Sequence, residues 1–241
     1  MNDLKIEIYA DGADLSDMLA AHKQSFIKGF TTNPTLMRKA GVADYEGFAR
    51  EVLRQITDLP ISFEVFSDEF DEMGRQARLI HSWGANVYVK IPVTDTRGAS
   101  AAPLIRRLAG EGIKMNVTAI MTVSQVREVA GVLTPDVPAI VSVFAGRIAD
   151  TGRDPLPIMR ECLEILKSRP RAKLLWASPR ELLNIVQADR MGCHIITVTT
   201  DLIKKLSGIG KDLGLFSLET VKMFYDDAQK AGYKLSLPEK V

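Results

Sequence analysis

Short runs rich in β-branched and aromatic residues alternate with longer amphipathic segments along most of the chain. The candidate strands are residues 5–10, 27–31, 61–66, 86–91, 113–118, 138–143, 173–177 and 193–198. Apolar side chains recur at three- and four-residue spacing, as in helices with one buried face, in segments 69–82, 99–110, 122–132, 154–167 and 179–190. Eight strand-then-helix units in 241 residues predict a closed parallel (β/α)8 barrel, because parallel strands need long crossovers and are buried on both faces.

The competing architecture is an open, doubly wound sheet, which usually has five or six strands and a glycine-rich phosphate turn after the first strand. Here that turn is Ala10-Asp11-Gly12-Ala13-Asp14 and lacks the glycine pattern. We therefore predict one α/β domain over residues 1–241, a TIM barrel with an extra C-terminal helix at about residues 216–231. The apolar side chains of that helix need a partner, either its own barrel or a neighbouring subunit.

Charge and composition narrow the classes of partner. The 31 Lys and Arg nearly balance the 30 Asp and Glu, without a basic block or acidic tail, so nothing indicates binding to nucleic acid or to a membrane surface. Cys162 and Cys193 are too few for a disulfide framework. No apolar run reaches the ~18–20 residues that cross a bilayer, and the N-terminus does not resemble a signal peptide. We expect a cytoplasmic protein.

Polar side chains gather where the predicted strands end, which is the edge of such barrels that holds active sites. The candidate residues are these polar residues together with the aromatic Phe144: Asp11, Thr31, Asn33, Glu64, Lys90, Asn116, Thr118, Ser142, Phe144, Arg147, Ser178 and Arg180. We expect them to meet at one mouth of the barrel.

Lys90 lies between Val89 and Ile91 in a strand predicted to be buried. Its side chain could extend to water at the strand end, or it could be a buried amine that attacks a ketone. Imine chemistry also needs a group that moves protons, which Asp11 or Glu64 could supply. Asp11 could instead cap the following helix, but a carboxylate in an apolar strand, like Glu64, must be paired or protonated. The two acids favour a nucleophilic role for Lys90.

Amides and guanidinium groups complete the predicted site. Asn33 and Asn116 could bond substrate hydroxyls, although Asn33 could also be a simple turn residue before a proline. Arg147 and Arg180 follow the sixth and seventh strands, where many barrels bind phosphate, and a guanidinium matches phosphate geometry. The alternative for both arginines is a surface salt bridge. Their position beside small residues favours an oxyanion clamp.

Five segments resemble the small transaldolase family, which includes the fructose-6-phosphate-aldolase-like enzymes. They are G-F-T-T-N-P-T (29–35), V-K-I-P-V-T (89–94), E-G-I-K-M-N-V-T (111–118), F-A-G-R-I (144–148) and A-S-P-R (177–180). The similarity extends through about residues 7–206. By this resemblance Lys90 matches the Schiff-base lysine, Asp11 the acid/base aspartate, and Glu64 with Thr118 the pair that holds a catalytic water. The resemblance also implies contacts with the hydroxyls and carbonyl of the substrate for Thr31, Asn33, Asn116 and Ser178, and with its phosphate for Arg147 and Arg180. Ser142 and Phe144 complete the set of residues expected to bind substrate.

The resemblance implies transfer of a dihydroxyacetone unit from a ketose phosphate to an aldose phosphate, with no metal or organic cofactor. Family members specialised as aldolases have Gln at the position of Glu64 and Tyr at that of Phe144, so this chain is more similar to the transaldolases. Family members of this size commonly form pentamers or decamers in which the C-terminal helix packs on a neighbour. A homo-oligomer is therefore expected.

Three alternatives stay open. The first is an aldolase of the same imine type that releases free dihydroxyacetone, and the second is a transaldolase-like enzyme for a non-standard sugar. The third is a non-catalytic sugar-phosphate binder, which the combination of Asp11, Glu64, Lys90 and Thr118 argues against, because a binder needs no buried lysine beside two acids.

Overall fold

The computed structural model describes residues 4–235. Eight parallel strands pair in chain order, and the last pairs with the first to close a barrel. The strands are β1 (Glu7–Asp11), β2 (Ile27–Thr31), β3 (Ile61–Glu64), β4 (Val87–Pro92), β5 (Met115–Ile120), β6 (Ala139–Val143), β7 (Ala172–Trp176) and β8 (Ile195–Thr199). Each overlaps one predicted strand, and the (β/α)8 prediction is confirmed.

Helices follow the strands and cover the barrel. They are α1 (Leu15–His22), α2 (Pro34–Lys39), α3 (Tyr45–Gln55), α4 (Phe70–His81), α5 (Ala102–Gly110), α6 (Val123–Val132), α7 (Ala145–Ala149), α8 (Pro155–Leu166), α9 (Leu182–Arg190), α10 (Thr200–Lys204) and α11 (Leu213–Ala231). Asp14, Asp44 and Asp154 each accept a hydrogen bond from a backbone N–H of the first turn that follows them. These caps satisfy donors that have no partner within the helix.

Successive side chains of a strand point to opposite faces, so the buried side chains form two layers, one between the strands and the helices and one inside the barrel. Ile8 and Ala10 of β1 pack outward between barrel and helices, whereas Tyr9 points into the barrel. We call the group inside the barrel the interior plug; it consists of Tyr9, Ile140, Leu175, Ala177 and Ile195. The plug fills the barrel between its two mouths, so the two ends present separate cavities.

The C-terminal helix α11 begins at Leu213, three residues before the predicted start, because Asp212 caps it by accepting from the N–H of Leu215. None of its residues is buried. Leu218 is 50% exposed and Phe224 is 63% exposed. The alternative that this helix packs on its own barrel is therefore wrong, and packing on a neighbouring subunit stays a prediction. Among residues 4–235, no helix combines the length and hydropathy needed to cross a bilayer.

Candidate active site

A cavity of about 490 Å³ opens at the C-terminal ends of the strands. We call it the upper cavity. Of the twelve candidate residues, eleven line it: Asp11, Thr31, Asn33, Glu64, Lys90, Asn116, Thr118, Ser142, Phe144, Arg147 and Ser178. Arg180 does not. Strand ends that are far apart in the sequence thus meet at one mouth, as the barrel predicted.

Lys90 is buried in β4, directly beside Glu64 in the register of β3 and β4. The residue is 8% exposed, so its side chain does not extend to water as the strand-end alternative required. Its Nζ lies 3.6 Å from Oε2 of Glu64 and donates a hydrogen bond to the main-chain carbonyl of Thr32. The amine is therefore held at the floor of the upper cavity, within reach of a molecule that enters it.

Glu64 is fixed from two directions. Its Oε2 accepts a hydrogen bond of 3.0 Å from the hydroxyl of Thr32. The Tyr45 hydroxyl donates to the Glu64 carbonyl (3.1 Å) and accepts from the Glu64 N–H (2.9 Å). Burial raises the pKa of Glu64 above its usual range, and the charge of Lys90 only partly opposes that shift. Oε1 has no hydrogen-bond partner among the residues that the structure describes, which leaves this oxygen available as an acceptor.

Asp11 faces the upper cavity and does not cap the helix that follows, because Asp14 fills that role. Its carboxylate accepts from the hydroxyl of Thr31 (2.8 Å) and from Nδ2 of Asn33 (3.3 Å). Burial raises the pKa of Asp11, against the opposing charge of Lys90 and these two hydrogen bonds. A carboxyl group held in this way can take up and return a proton near neutral pH more readily than a surface carboxyl can.

A chain of hydrogen bonds crosses the barrel and fixes the amide of Asn116. Its Nδ2 donates to the hydroxyl of Ser62 (3.0 Å), and its Oδ1 accepts from the hydroxyl of Ser142 (2.6 Å). Thr118 lies two residues further along β5, where the register with β6 shifts and Ala119 has a positive φ of 63°. Because of that irregularity, Thr118 and Ala119 both line the cavity. A regular strand would place two successive side chains on opposite faces.

The two arginines occupy different environments. Arg147 lines the cavity, with its guanidinium carbon 5.7 Å from the centroid of the Phe144 ring. Arg180 instead forms a two-point ion pair with Asp150, with Nε at 2.9 Å from Oδ1, and its side chain is 47% exposed. The prediction that both arginines form one clamp is therefore corrected for this structure: Arg180 makes the surface salt bridge, because Asp150 at the end of α7 offers it a bidentate carboxylate.

Gly146 allows α7 to approach the loop after β7. A Cβ atom at this position would lie 1.5 Å from the carbonyl oxygen of Ser178. Ser178 itself has a positive φ of 57°, which is uncommon for a residue with a side chain. This close backbone contact joins the two segments that carry Arg147 and Arg180.

Four further residues shape the site and were not predicted from the sequence. Thr32 and Tyr45 hold Lys90 and Glu64, Ser62 holds Asn116, and Thr197 shares a hydrogen bond with Thr31. Thr197 and Ser62 are polar residues within apolar strands, a signal that could have identified them. Tyr45 lies in α3, and nothing in its local sequence points to a strand end 19 residues away.

Known proteins with sequences similar to this chain all indicate one enzyme family. A sequence model of the Transaldolase/Fructose-6-phosphate aldolase family matches residues 8–236. A Listeria monocytogenes protein named "Probable transaldolase 2" is 34% identical over 203 residues, which are 83% of this chain and 88% of that protein. A Thermoanaerobacter protein named "Probable transaldolase" is 32% identical over 232 residues, which are 95% of this chain and 100% of that protein.

Solved structures add evidence on the fold alone. The 3-keto-L-gulonate-6-phosphate decarboxylase of Vibrio cholerae superposes with a TM-score of 0.55, covering 80% of this chain and 87% of that chain. The two sequences are 14% identical, so the comparison shows a shared barrel and carries no information about the reaction.

Proposed function

The chain belongs to the transaldolase/fructose-6-phosphate aldolase family, and we propose that it transfers a dihydroxyacetone unit from a ketose phosphate to an aldose phosphate. The observation that carries the proposal is the buried Lys90 amine, 3.6 Å from Glu64 in a cavity that Asp11 also lines. No other lysine lines that cavity among residues 4–235. A sugar-binding site without covalent chemistry would not need this arrangement.

In the first step the Lys90 amine attacks the ketone carbon of the donor. The carbonyl oxygen takes up a proton to give a carbinolamine, and loss of water from it leaves an iminium ion on Lys90. The hydrogen bond from Nζ to the carbonyl of Thr32 orients the amine before attack. Preorganisation of this kind avoids a costly rearrangement when the substrate binds.

In the second step Asp11 acts as the base. It takes the proton from the donor hydroxyl next to the breaking C–C bond, the aldehyde product leaves, and the electron pair moves into the iminium to form an enamine. The enamine then attacks the acceptor aldehyde, Asp11 returns the proton to the new hydroxyl, and an iminium ion forms again on Lys90. Water adds to that iminium carbon, and breaking of the C–N bond releases the ketose product and the free amine. Thr31 and Asn33 hold the carboxylate in place through both halves of the cycle.

Glu64 and Thr118 match the residues that hold a catalytic water in this family. The unpartnered Oε1 of Glu64 supports this role, because it leaves an acceptor for that water. The carboxyl group can then move protons to and from the carbinolamine oxygen through the water. Thr118 lines the same cavity, and its hydroxyl is the second contact proposed for the water.

Arg147 supplies the positive charge that binds the substrate phosphate, and its guanidinium makes a cation–π contact with the ring of Phe144. Asn116, Ser142 and Ser178 are placed to bond the hydroxyl and carbonyl groups of the sugar. Arg180 can contribute only if it leaves Asp150, so substrate binding would exchange one ion pair for another.

The test is reductive trapping with sodium borohydride in the presence of fructose 6-phosphate. We expect a three-carbon adduct, located on Lys90 by mass spectrometry of the digested protein. Lys90→Ala should abolish both the adduct and transfer to an aldose phosphate.

Lys114→Ala is the matched control, because Lys114 is also partly buried but precedes β5 at the opposite end of the barrel. This variant should be labelled at Lys90 as the wild type is. An unlabelled Lys90, or a label that persists in Lys90→Ala, would contradict the proposal.

Transfer and simple cleavage are distinguished by leaving out the acceptor. A transaldolase retains the three-carbon unit on Lys90, so we expect little free dihydroxyacetone from the donor alone and rapid turnover once erythrose 4-phosphate is added. Steady release without an acceptor would favour the aldolase. The same assay with a panel of ketoses tests whether the enzyme prefers a non-standard sugar as donor. Tight binding of a ketose phosphate without turnover of any donor would favour a non-catalytic sugar-phosphate binder.

The homo-oligomer is a second part of the proposal. The support is the nineteen-residue helix α11, which carries apolar side chains and buries none of them on its own barrel. A neighbouring copy that covers them would remove this apolar area from water.

A further inference from the structure

A second cavity, of about 420 Å³, opens at the opposite end of the barrel. We call it the lower cavity. It is lined by the N-terminal ends of the strands and by residues just before them, and its polar lining residues are Glu7, Tyr9, Lys28, Tyr88, Arg171 and Lys173. The interior plug separates it from the upper cavity, and none of these six residues has a role in the reaction proposed above.

The charge of the lower cavity is unbalanced. Glu7 is the one carboxylate in its lining, and it is already paired with Lys173. Lys28 and Arg171 donate instead to the main-chain carbonyls of Ser25 (2.7 Å) and Asp136 (2.8 Å). Neither has an ion-pair partner among the described residues. Cations around a concave site with apolar walls focus a positive potential there, which attracts anions.

Two tyrosine hydroxyls face the same space. Tyr9 is 3% exposed, with its ring packed so closely on Gly29 that a Cβ atom there would lie 2.6 Å from the ring. No residue between 4 and 235 forms a hydrogen bond with the hydroxyl of Tyr9 or of Tyr88. Neither oxygen is among the side-chain atoms that are sealed from solvent without a partner, so both hydroxyls open onto the lower cavity and can donate to a molecule in it. Burial raises the pKa of both groups, so they remain O–H donors at neutral pH.

We propose that the lower cavity binds a phosphate group, with Lys28 and Arg171 matching its charge and Tyr9 and Tyr88 donating to its oxygens. A dianion balances two cations that have no carboxylate partner, and its oxygens accept from hydroxyls that have none in the protein. The volume exceeds that of an inorganic ion, so the phosphate can belong to inorganic phosphate or to a small organic phosphate.

The experiment is calorimetric titration of inorganic phosphate at constant ionic strength into the double variant Arg147→Gln/Arg180→Gln, which removes the arginines assigned to substrate phosphate. We expect one phosphate site to remain in this protein. Adding Arg171→Gln should raise its Kd at least tenfold. Adding Tyr9→Phe, which keeps the ring on Gly29 and removes only the hydroxyl, should raise it several-fold.

Arg106→Gln is the matched control, because Arg106 is an exposed cation beside a different groove, between α5 and α6; it should leave the Kd unchanged. A second titration uses glycerol 3-phosphate, which has no carbonyl and cannot form an imine. Tighter binding than inorganic phosphate identifies an organic phosphate as the ligand class, and equal or weaker binding identifies free phosphate. The proposal is overturned if the double variant binds neither compound, or if Arg171→Gln and Tyr9→Phe both leave the Kd unchanged.

Discussion

Among single residues, Glu64 makes the stability of the folded chain depend on pH. Burial raises its pKa in the folded chain, so the folded state keeps this proton to a higher pH than the unfolded chain does. The buried carboxylate therefore lowers stability at neutral pH, and this penalty fades as the pH falls toward the unfolded value of about 4.3. We expect Glu64→Gln to raise the unfolding temperature by about 2–4 °C at pH 8, with a smaller gain at each step toward pH 4.

Thermal unfolding followed by circular dichroism across that pH range measures the difference. The control is Glu164→Gln, which removes a carboxylate that is 66% exposed and paired with Lys167 at the surface. Such pairs contribute little to stability, so this variant should show no pH-dependent gain. A loss of stability at pH 8 in Glu64→Gln would contradict the prediction and would indicate that the Lys90 pair outweighs the burial of the carboxylate.

Gly146 is the glycine at which an added methyl group should lower stability the most. A methyl group would meet the Ser178 carbonyl at 1.5 Å, so α7 and the loop after β7 would have to separate. We expect Gly146→Ala to lower the free energy of unfolding by about 3 kcal/mol and to reduce activity by moving Arg147. Chemical denaturation measures the first effect and kcat/KM the second.

The matched control is Gly131→Ala, in helix α6, where no atom lies within 4 Å of the added Cβ. Alanine has the higher helix propensity, so this variant should be unchanged or more stable by up to about 1 kcal/mol. Equal stability of the two alanine variants would show that the contact at Gly146 relaxes without loss.

At the scale of elements, helix α2 is joined to the site through Asn33. Its Oδ1 caps the helix by accepting from the N–H of Leu36 (2.9 Å), while its Nδ2 donates to Asp11. Asn33→Asp preserves the cap, because Asp and Asn are similar in that role. It also replaces the donor with a second carboxylate, which raises the pKa of Asp11 further. We expect nearly unchanged stability and at least a tenfold loss of kcat/KM at pH 7.

The pH dependence of kcat/KM provides the specific measurement. In the proposed mechanism Asp11 acts as a carboxylate. Activity should therefore fall as the pH drops through its raised pKa, and the acidic limb should move to higher pH in Asn33→Asp. Asp154→Asn makes the reverse exchange at the cap of α8 and should leave the profile unchanged. An unshifted acidic limb in Asn33→Asp would mean that Asp11 does not set it.

At the scale of the whole molecule, the exposed helix α11 predicts assembly. Leu218 and Phe224 would each contribute about 1.5–3 kcal/mol if a neighbouring copy buried them. We expect Leu218→Ser/Phe224→Ser to convert the oligomer to monomers, as measured by light scattering after size-exclusion chromatography. Asp227→Ser, a change of a charged residue on the same helix, should keep the wild-type mass. A monomeric wild type at micromolar concentration would refute the assembly.

The fold and eleven of the residues that line the upper cavity could be predicted from the sequence. Strand and helix periodicities are local, so the eight strands could be located within a few residues. In a closed barrel of parallel strands, the C-terminal ends of all the strands meet at one mouth. The predicted barrel therefore placed Asp11, Glu64, Lys90 and Thr118 together. The motifs around Lys90 and Asn33 indicated the family, which the comparisons confirm.

Only the tertiary structure decided how these side chains are paired. Lys90 donates to Thr32 across 58 residues of sequence, Tyr45 clamps Glu64 from a helix, and Arg180 pairs with Asp150 instead of lining the cavity. The lower cavity likewise exists only because the ends of several strands converge. Secondary structure follows from the periodicity of neighbouring residues, whereas a hydrogen bond or ion pair depends on distances of a few tenths of an ångström, which packing between remote segments sets.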